Sequence, residues 1–397
     1  MTELRRRVAV TGLGVVAPCG IGRDAFWKGL FAAPPAGDQQ QIADWDPSPW
    51  FDSPKEARRA DRFQQFALAA AAEALAQSGD LGADPSRCGV MIGTGIGGIS
   101  TNEEQIVIRH ERGDRRVSPF LIPMMMPNAA AAAVSMRHGL QGPCEAIVTA
   151  CAAGTHSIGR AIDLIRHGRT DVMLAGGSEA PITPTALAGF RNMTAMTNSG
   201  TSMPFDVRRD GFVIAEGCAV LVLEEWDRAS ERGATILGEA MGSASTADAY
   251  HITAPAPGGT GAVRSMELAL EDAGLSAAAI RHINAHGTST PLNDAAEAHA
   301  MAKVFGVTDG PVITSTKGVT GHALGAAGAL EAAAVLLAIQ HRIVPPTVGL
   351  LELDPELPGI DIVTDPAGRP WEPGPAMSNS FGFGGHNGSI ILGPAES

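Results

Sequence analysis

A cysteine stands in the stretch IVTACAAGTHS, residues 147–157, with two alanines and a glycine directly after it. Cys151 is either a nucleophile or an ordinary buried thiol, because free cysteine often serves as a small core residue. The run IVTA before it reads as a strand end, and AAGTHSIGRAIDLIRHG reads as a helix closed by Gly168. That puts the thiol at a helix N-terminus, where unpaired N–H groups and the positive end of the dipole favour thiolate and lower its pKa below the usual value of about 8.5.

Three more stretches carry chemistry. In NAHGTSTPLNDAAEAH, residues 284–299, His286 leaves a strand into a hydroxyl-rich loop, the place where α/β sheets put active sites. Thr288 and Thr290 there offer hydroxyls to a polar ligand arm, although a lone histidine at such a point is often only structural. In STKGVTGHALGAAGALE, residues 315–331, Lys317 and His322 bracket a turn and Glu331 lies along the next helix. A buried lysine needs a partner, so Glu331 is read as its counter-ion, in a pair that either holds the histidine loop or is purely structural. In SNSFGFGGHNGS, residues 378–389, clustered glycines imply a backbone that other residues resist. Such a loop aims N–H groups at a developing oxyanion while Phe381 and Phe383 close the site against water; a plain tight turn is the competing reading.

The elements that must position these residues follow from periodicity. Short apolar runs (RRVAVTGLG, CGVMIGTG, CEAIVTA, DVMLAGG, CAVLVLEEW) alternate with helical patterns such as ADRFQQFALAAAAEALAQSG. The alternation predicts an α/β fold with mostly parallel, buried strands. Near Ala234 the pattern restarts, with strands at ILGEAMGSAS, HINAHG and VITSTKG and helices between and after them. The restart hints at an internal duplication, divided as residues 1–233 and 234–397, with no low-complexity linker between the halves.

Composition bounds the function. With 397 residues, 45% apolar and 18% charged, a large core is available, and the 5% aromatic content implies elements filled by small aliphatic side chains. A net charge of -13 and the lack of any basic run longer than three residues exclude wholesale nucleic-acid binding. No apolar run approaches membrane-spanning length. Arg5, Arg6 and Arg7 precede an apolar stretch as in an export signal, but Gly12 and Gly14 and the β-branched residues make it a first strand. Five cysteines, at 19, 88, 144, 151 and 218, have neither CxxC nor metal-finger spacing, which fits a reducing, cytoplasmic compartment and no bound metal.

Taken together, the four stretches resemble the elongating β-ketoacyl-acyl carrier protein synthases of the thiolase-like superfamily. VAVTGLGVVAP at the start, GTGIGG, PFDVRRDGFV, PPT and the closing NSFGFGGHN stand in the family's order, so the resemblance spans nearly the whole chain. It implies a five-layered α-β-α-β-α fold of two similar halves, a dimer, and no cofactor beyond the carrier's phosphopantetheine. It assigns Cys151 as the acyl-accepting nucleophile, His286 and His322 as donors to the malonyl thioester oxygen, and Lys317 with Glu331 as the pair ordering the histidine loop. The backbone N–H groups of Cys151 and Phe383 become the oxyanion hole, Phe383 a gate with Phe381 beside it, and Thr288 and Thr290 contacts for the pantetheine arm.

The resemblance also implies an acyl carrier protein partner, met by a local basic patch of Lys55, Arg58, Arg59, Arg115 and Arg116. Many relatives carry an arginine where Met203 precedes PFD, and Arg208 or Arg209 is expected to compensate. Between DPSPWF and KEARRADRF the chain looks shortened by about one hairpin relative to the family pattern. The pathway reads as fatty-acid or type II polyketide or polyene elongation, in a homodimer or a heterodimer with a chain-length factor. A catalytically silent, chain-length-factor-like subunit is the alternative that an intact Cys-His-His set opposes. An NAD-dependent oxidoreductase rests only on loose glycine patterns at GLGVVA and GTGIGG.

Overall fold

The computed structural model describes residues 5–395. Ten strands carry the architecture. The first five are β1 (Val8–Ala17), β2 (Cys88–Gly93), β3 (Cys144–Glu145), β4 (Val172–Glu179) and β5 (Gly217–Glu225). The second five are β6 (Gly238–Ala247), β7 (His282–Asn284), β8 (Val312–Thr314), β9 (Ala376–Gly382) and β10 (His386–Gly393). Spatial order in the first set is β1-β5-β4-β2-β3 and in the second β6-β10-β9-β7-β8, the same permutation repeated. The pairing senses repeat too: β1/β5 and β5/β4 are antiparallel, β4/β2 and β2/β3 parallel, and each counterpart in the second set follows suit. The duplication hinted at by the sequence is therefore a topological one. Ala9 and Val10 of β1 pair with Glu239 and Gly238 of β6, joining the two sheets edge to edge.

Mixed pairing corrects the expectation of mostly parallel strands. Both β1 and β5 are covered on two faces and so carry the continuous apolar runs normally typical of parallel strands. The stretch CEAIVTA is also less strand than expected, since only Cys144 and Glu145 pair.

Helices α1 (Arg62–Ser78), α2 (Ile99–Arg112), α3 (Leu121–Met125), α4 (Ala129–His138) and α5 (Ala153–Arg166) belong to the first half. Helices α6 (Thr260–Ala273), α7 (Pro291–Phe305) and α8 (Ala327–His341) belong to the second. Helix α1 shows why its sequence starts where it does. The Asp61 side chain accepts from the Phe63 N–H while Gln64 reaches back to the Asp61 N–H, and Gly79 ends the helix. Helices α5 and α8 touch each other and strands of both halves, so they form the middle layer, with α1 outside one sheet and α6 outside the other. Their small residues permit that close stacking, as the low aromatic content implied.

The stretch Leu324–His341 is 18 residues long and apolar enough to match a membrane span, contrary to the sequence expectation, but 89% of it is buried inside the fold. It is the middle-layer helix, shielded by protein on all sides.

Candidate active site

The middle layer delivers Cys151. A tight turn over Ala150–Ala152 leads into α5, and Ala150 sits at φ 49°, a left-handed backbone that a non-glycine residue adopts at a cost of about 1 kcal/mol or more. The thiol lies at the helix start as expected. Its Sγ is 3.1 Å from Nε2 of His322. The N–H of Phe383 and that of Cys151 itself both reach the sulfur, so two backbone donors converge where an oxyanion on an acylated Cys151 would sit. Gly382 makes this approach feasible: a Cβ there would lie 3.0 Å from the Cys151 nitrogen and from the Thr149 carbonyl oxygen.

The depressed thiol pKa expected from the helix end is not what burial produces. Desolvation pushes the Cys151 thiol up to about 11, with the Lys317 charge and the Phe383 N–H pulling the other way. The resting group is a thiol, and His322 is placed to take its proton.

The second half supplies the imidazoles. His286 follows β7 and is held through its backbone: Glu297 on α7 accepts the N–H groups of His286 and Gly287, each at 2.7 Å. Lys317 donates to the His286 carbonyl at 2.6 Å, stands 3.3 Å from His286 Nδ1, and pairs with Glu331. An ammonium has no lone pair, so Nδ1 presents its own and the proton resides on Nε2. His322 is fixed by its main chain to the 213–215 segment, donating to the Val213 carbonyl at 2.7 Å and accepting from Ala215 at 3.0 Å. The two imidazole rings stand edge to face, 5.3 Å between centroids. Burial, with the Lys317 charge adding to it, holds both pKa values well below 6.5, so both rings are neutral. Among the described residues no protein group lies within hydrogen-bond reach of His322 Nδ1, so no side chain or backbone group fixes its tautomer from behind.

These groups open on a cavity of about 400 Å³ lined by Cys151, His286, His322, Thr288, Thr290, Phe381 and Phe383. The Thr288 and Thr290 hydroxyls are 2.9 Å apart on its wall. Every residue expected at the chemical centre is thus assembled there, from segments far apart in the chain. The ligand-type atoms of Cys151, His286 and His322 lie within 4.8 Å of one another, the set that a soft metal ion would use, with the Lys317 ammonium directly behind one of them.

Sequence reasoning missed two carboxylates. Glu297 sits in the Ala-rich run NDAAEAHA, and its only signal was an acid three residues after Asp294 on an otherwise apolar helix face. Glu179, fully buried at the end of β4, accepts from the Thr94 hydroxyl and from the N–H groups of Gly95, Ile96 and Gly325. The donors of the GTGIGG loop are therefore already taken, and GLGVVA lies within β1 instead of in a loop. Neither glycine pattern is a dinucleotide cradle.

The basic positions divide. Lys55, Arg58, Arg59, Arg115 and Arg116 are all exposed, and the Arg59 guanidinium stacks 4.2 Å from the Phe120 ring centroid, which draws the first cluster beside the segment that follows the second. Arg209 corrects the expectation placed on it: it is 9% exposed and paired with Asp354 at 2.6 Å, so it braces the interior. Arg208 is exposed but bound by both carboxylate oxygens of Asp206, at 2.7 Å each, and its charge is already committed. Met203 is buried, its N–H given to Ser289.

Comparison with known proteins agrees with this geometry. Residues 32–229 match the family description "Beta-ketoacyl synthase, N-terminal domain" and residues 237–351 "Beta-ketoacyl synthase, C-terminal domain". The chain belongs to the β-ketoacyl synthase family. It is 43% identical over 412 residues to 3-oxoacyl-[acyl-carrier-protein] synthase 2 of Synechocystis, covering 98% of both chains. Among solved structures, it superimposes with a TM-score of 0.89 at 33% identity on a ketosynthase in complex with its type II PKS acyl-carrier protein and bound to the hexaketide, covering 98% of this chain and 100% of that one. The ishigamide ketosynthase/chain length factor gives 0.90 at 32% identity, covering 99% and 100%. The thiolase-like α/β fold, the acyltransferase class and the ketosynthase activity follow for this β-ketoacyl synthase.

Proposed function

We propose that this chain elongates a carrier-borne fatty-acid or polyketide chain by decarboxylative Claisen condensation, with Cys151, His286 and His322 as its reacting groups. The observation that carries this reading is the 3.1 Å contact between Cys151 Sγ and His322 Nε2, with the proton-bearing Nε2 of His286 in the same cavity. Cys151 attacks the acyl thioester of a carrier's phosphopantetheine. His322 takes the thiol proton and passes it to the departing pantetheine thiolate. The tetrahedral oxyanion is held by the N–H groups of Cys151 and Phe383.

A malonyl thioester then enters past Phe383, its arm against Thr288 and Thr290. Once Cys151 is acylated, His322 no longer faces a thiol proton and its free tautomer allows Nε2 to donate. Two imidazole N–H groups then hold the malonyl thioester oxygen, the carbon–carboxylate bond breaks, CO₂ leaves and the charge becomes an enolate. The enolate carbon attacks the acyl carbon, the bond to Cys151 sulfur breaks with its electron pair left on the thiolate, which one proton from solvent returns to thiol, and a β-ketoacyl chain two carbons longer departs on the carrier. Neutral histidines suit this step, since an imidazolium would donate its proton to the enolate and quench it. No cofactor beyond phosphopantetheine enters the reaction, and a reducing compartment such as the cytoplasm suits five free thiols. The acidic carrier docks on Lys55, Arg58, Arg59, Arg115 and Arg116, where local charge overcomes net repulsion. The two halves are taken to meet near residue 234, and the active unit is a dimer of this chain with itself or with a chain-length factor.

The test is intact-protein mass after mixing with acyl-loaded carrier protein. Wild type gains one acyl group and Cys151→Ala gains none, a loss of roughly 10⁴-fold or more in rate. An acyl gain on the alanine variant overturns the assignment.

A further inference from the structure

His156, on the first turn of α5, is buried and takes no part in the condensation described above. Its Nδ1 lies 2.8 Å from the Thr149 hydroxyl oxygen and its Nε2 3.1 Å from the Asn387 carbonyl oxygen. A carbonyl only accepts, so Nε2 carries the proton and Nδ1 presents its lone pair to the Thr149 O–H. Burial holds the pKa below 6.5, which keeps the ring in this neutral form. The ring packs directly on β10: a Cβ at Gly388 would lie 2.9 Å from its Cδ2 and Nε2.

The two ends of this bridge lead to the two N–H groups that converge on the Cys151 sulfur. Thr149 directly precedes Ala150, the residue at φ 49°, and its carbonyl accepts from Ala152 at 3.1 Å, so it forms the near side of the turn that aims the Cys151 N–H. Asn387 pairs with Phe381, and His386 with Gly382, in the β9/β10 ladder that hands the chain on to Phe383. A left-handed non-glycine residue persists only where its surroundings over-determine it. At the start of α8, Glu179 helps to do so by accepting the Gly325 N–H at 3.0 Å. At Cys151 the corresponding N–H stays aimed at the sulfur, so the turn has to be held through a neighbour. Among the described residues the only side-chain hydrogen bond of Thr149 is the one to His156.

We propose that His156 is a positioning residue: by tying Thr149 to Asn387 it fixes the separation of the two oxyanion donors, the N–H groups of Cys151 and Phe383. The inference rests on the acyl transfer proposed above for its biological use, but the geometry it describes is measurable with any reagent that acylates the thiol.

The experiment compares, in the full chain, acylation of Cys151 by p-nitrophenyl acetate, which passes through an oxyanion, with alkylation by iodoacetamide, which does not. Thr149→Val removes the hydroxyl with almost no change of shape; it is expected to slow acylation about tenfold and to leave alkylation within about twofold. Thr149→Ser keeps the hydroxyl and is expected to restore acylation. His156→Gln keeps a donor for the Asn387 carbonyl and loses the acceptor for Thr149, so Thr149→Val added to it should slow acylation by no more than about twofold further. Acylation by Thr149→Val at the wild-type rate overturns the inference, and so does an equal fall in alkylation, which is the mark of general damage to the turn. A full tenfold effect of Thr149→Val in the His156→Gln background overturns it too, since Thr149 then acts without the ring. Wild type that is alkylated but not acylated leaves no oxyanion site to position and overturns it as well. Acyl-loaded carrier protein in the same samples reads the proposed function separately. Wild type acylated by the ester and not by the carrier sinks the elongation reading and leaves the positioning role, whereas capture from the carrier with Thr149→Val unimpaired does the reverse.

Discussion

The two middle-layer helices begin in the same way and end up with different tasks. Helix α5 is entered through Ala150–Ala152 with Ala150 at φ 49°, and α8 through Leu324–Ala326 with Leu324 at φ 44°. Each is a three-residue turn with a left-handed, non-glycine first residue. The second position is Cys151 in one and Gly325 in the other. Around Cys151 there is a cavity; around Gly325 there is none, since a Cβ would fall 2.2 Å from the Gly95 nitrogen. The Gly325 N–H is spent on Glu179 at 3.0 Å, whereas the equivalent donor at Cys151 stays aimed at the reacting sulfur. Two strained helix starts thus stand in equivalent places, and under the function proposed above the side chain at the second position decides which one reacts. Under the same proposal the other half contributes His286 and His322 from its loops.

The largest effect that sharpens this division of labour comes from separating the two histidines. His286→Ala is expected to leave Cys151 acylation intact while lowering condensation about 10²–10³-fold, because it removes one donor to the thioester oxygen. His322→Ala slows both half-reactions, since it also removes the proton acceptor 3.1 Å from the sulfur. Single-turnover acylation and carrier-product formation, measured separately, check this. Two variants with identical profiles would break the assignment of distinct roles.

Next is the ion pair beneath them. Lys317 is wholly buried against Glu331, whose carboxyl burial pushes up to about 7 in spite of the ammonium. Lys317→Ala leaves a buried carboxylate without its partner and is expected to lose about 3–5 kcal/mol of stability. Without the ammonium, burial pushes the Glu331 carboxyl still further up than in the wild type, so the loss grows as pH rises from the ordinary carboxylate range towards that raised value, and acid relieves it. Lys317→Met with Glu331→Leu should recover most of the stability in denaturant titrations and none of the condensation rate, because His286 loses its anchor. Recovery of both would reduce the pair to a structural one.

Gly325→Ala probes the unreactive helix start. Its added Cβ meets backbone, which cannot yield as a side-chain tip does, so a loss of about 1–3 kcal/mol is expected in thermal or denaturant unfolding. An unchanged midpoint would mean that the two starts are less different than their surroundings suggest.

What the sequence made legible follows the same lines. Cys151, His286, His322 and the Lys317–Glu331 pair were readable because their types are rare and their flanks mark strand ends, turns and helix starts. Strand direction was not: β1 and β5 are buried on both faces, and their antiparallel pairing joins residues some two hundred positions apart, which no local pattern records. Glu179 was invisible because it holds backbone N–H groups of distant loops, and Glu297 because a carboxylate on an Ala-rich helix reads as a solvated charge, although it holds the loop just before its own helix. Arg209 read as a surface charge because burial beside Asp354 depends on a loop brought back from far along the chain.

The thiol is where sequence and structure diverge most usefully, because each predicts a different titration. A helix N-terminus alone favours thiolate near neutral pH. In the folded protein burial outweighs it and leaves Cys151 at about 11. Below that value the thiolate fraction grows tenfold for each unit of pH, so alkylation by a small reagent such as iodoacetamide should climb by that factor per unit from pH 7 to 10. A plateau near neutrality would show the opposite, that the dipole and the Phe383 N–H dominate and the resting pair is thiolate and imidazolium. The His322→Ala variant separates the causes: it leaves the helix end in place and removes the imidazole within hydrogen-bond reach of the sulfur. If the slope survives in that variant, burial sets the thiol's resting state and His322 acts only when a thioester arrives.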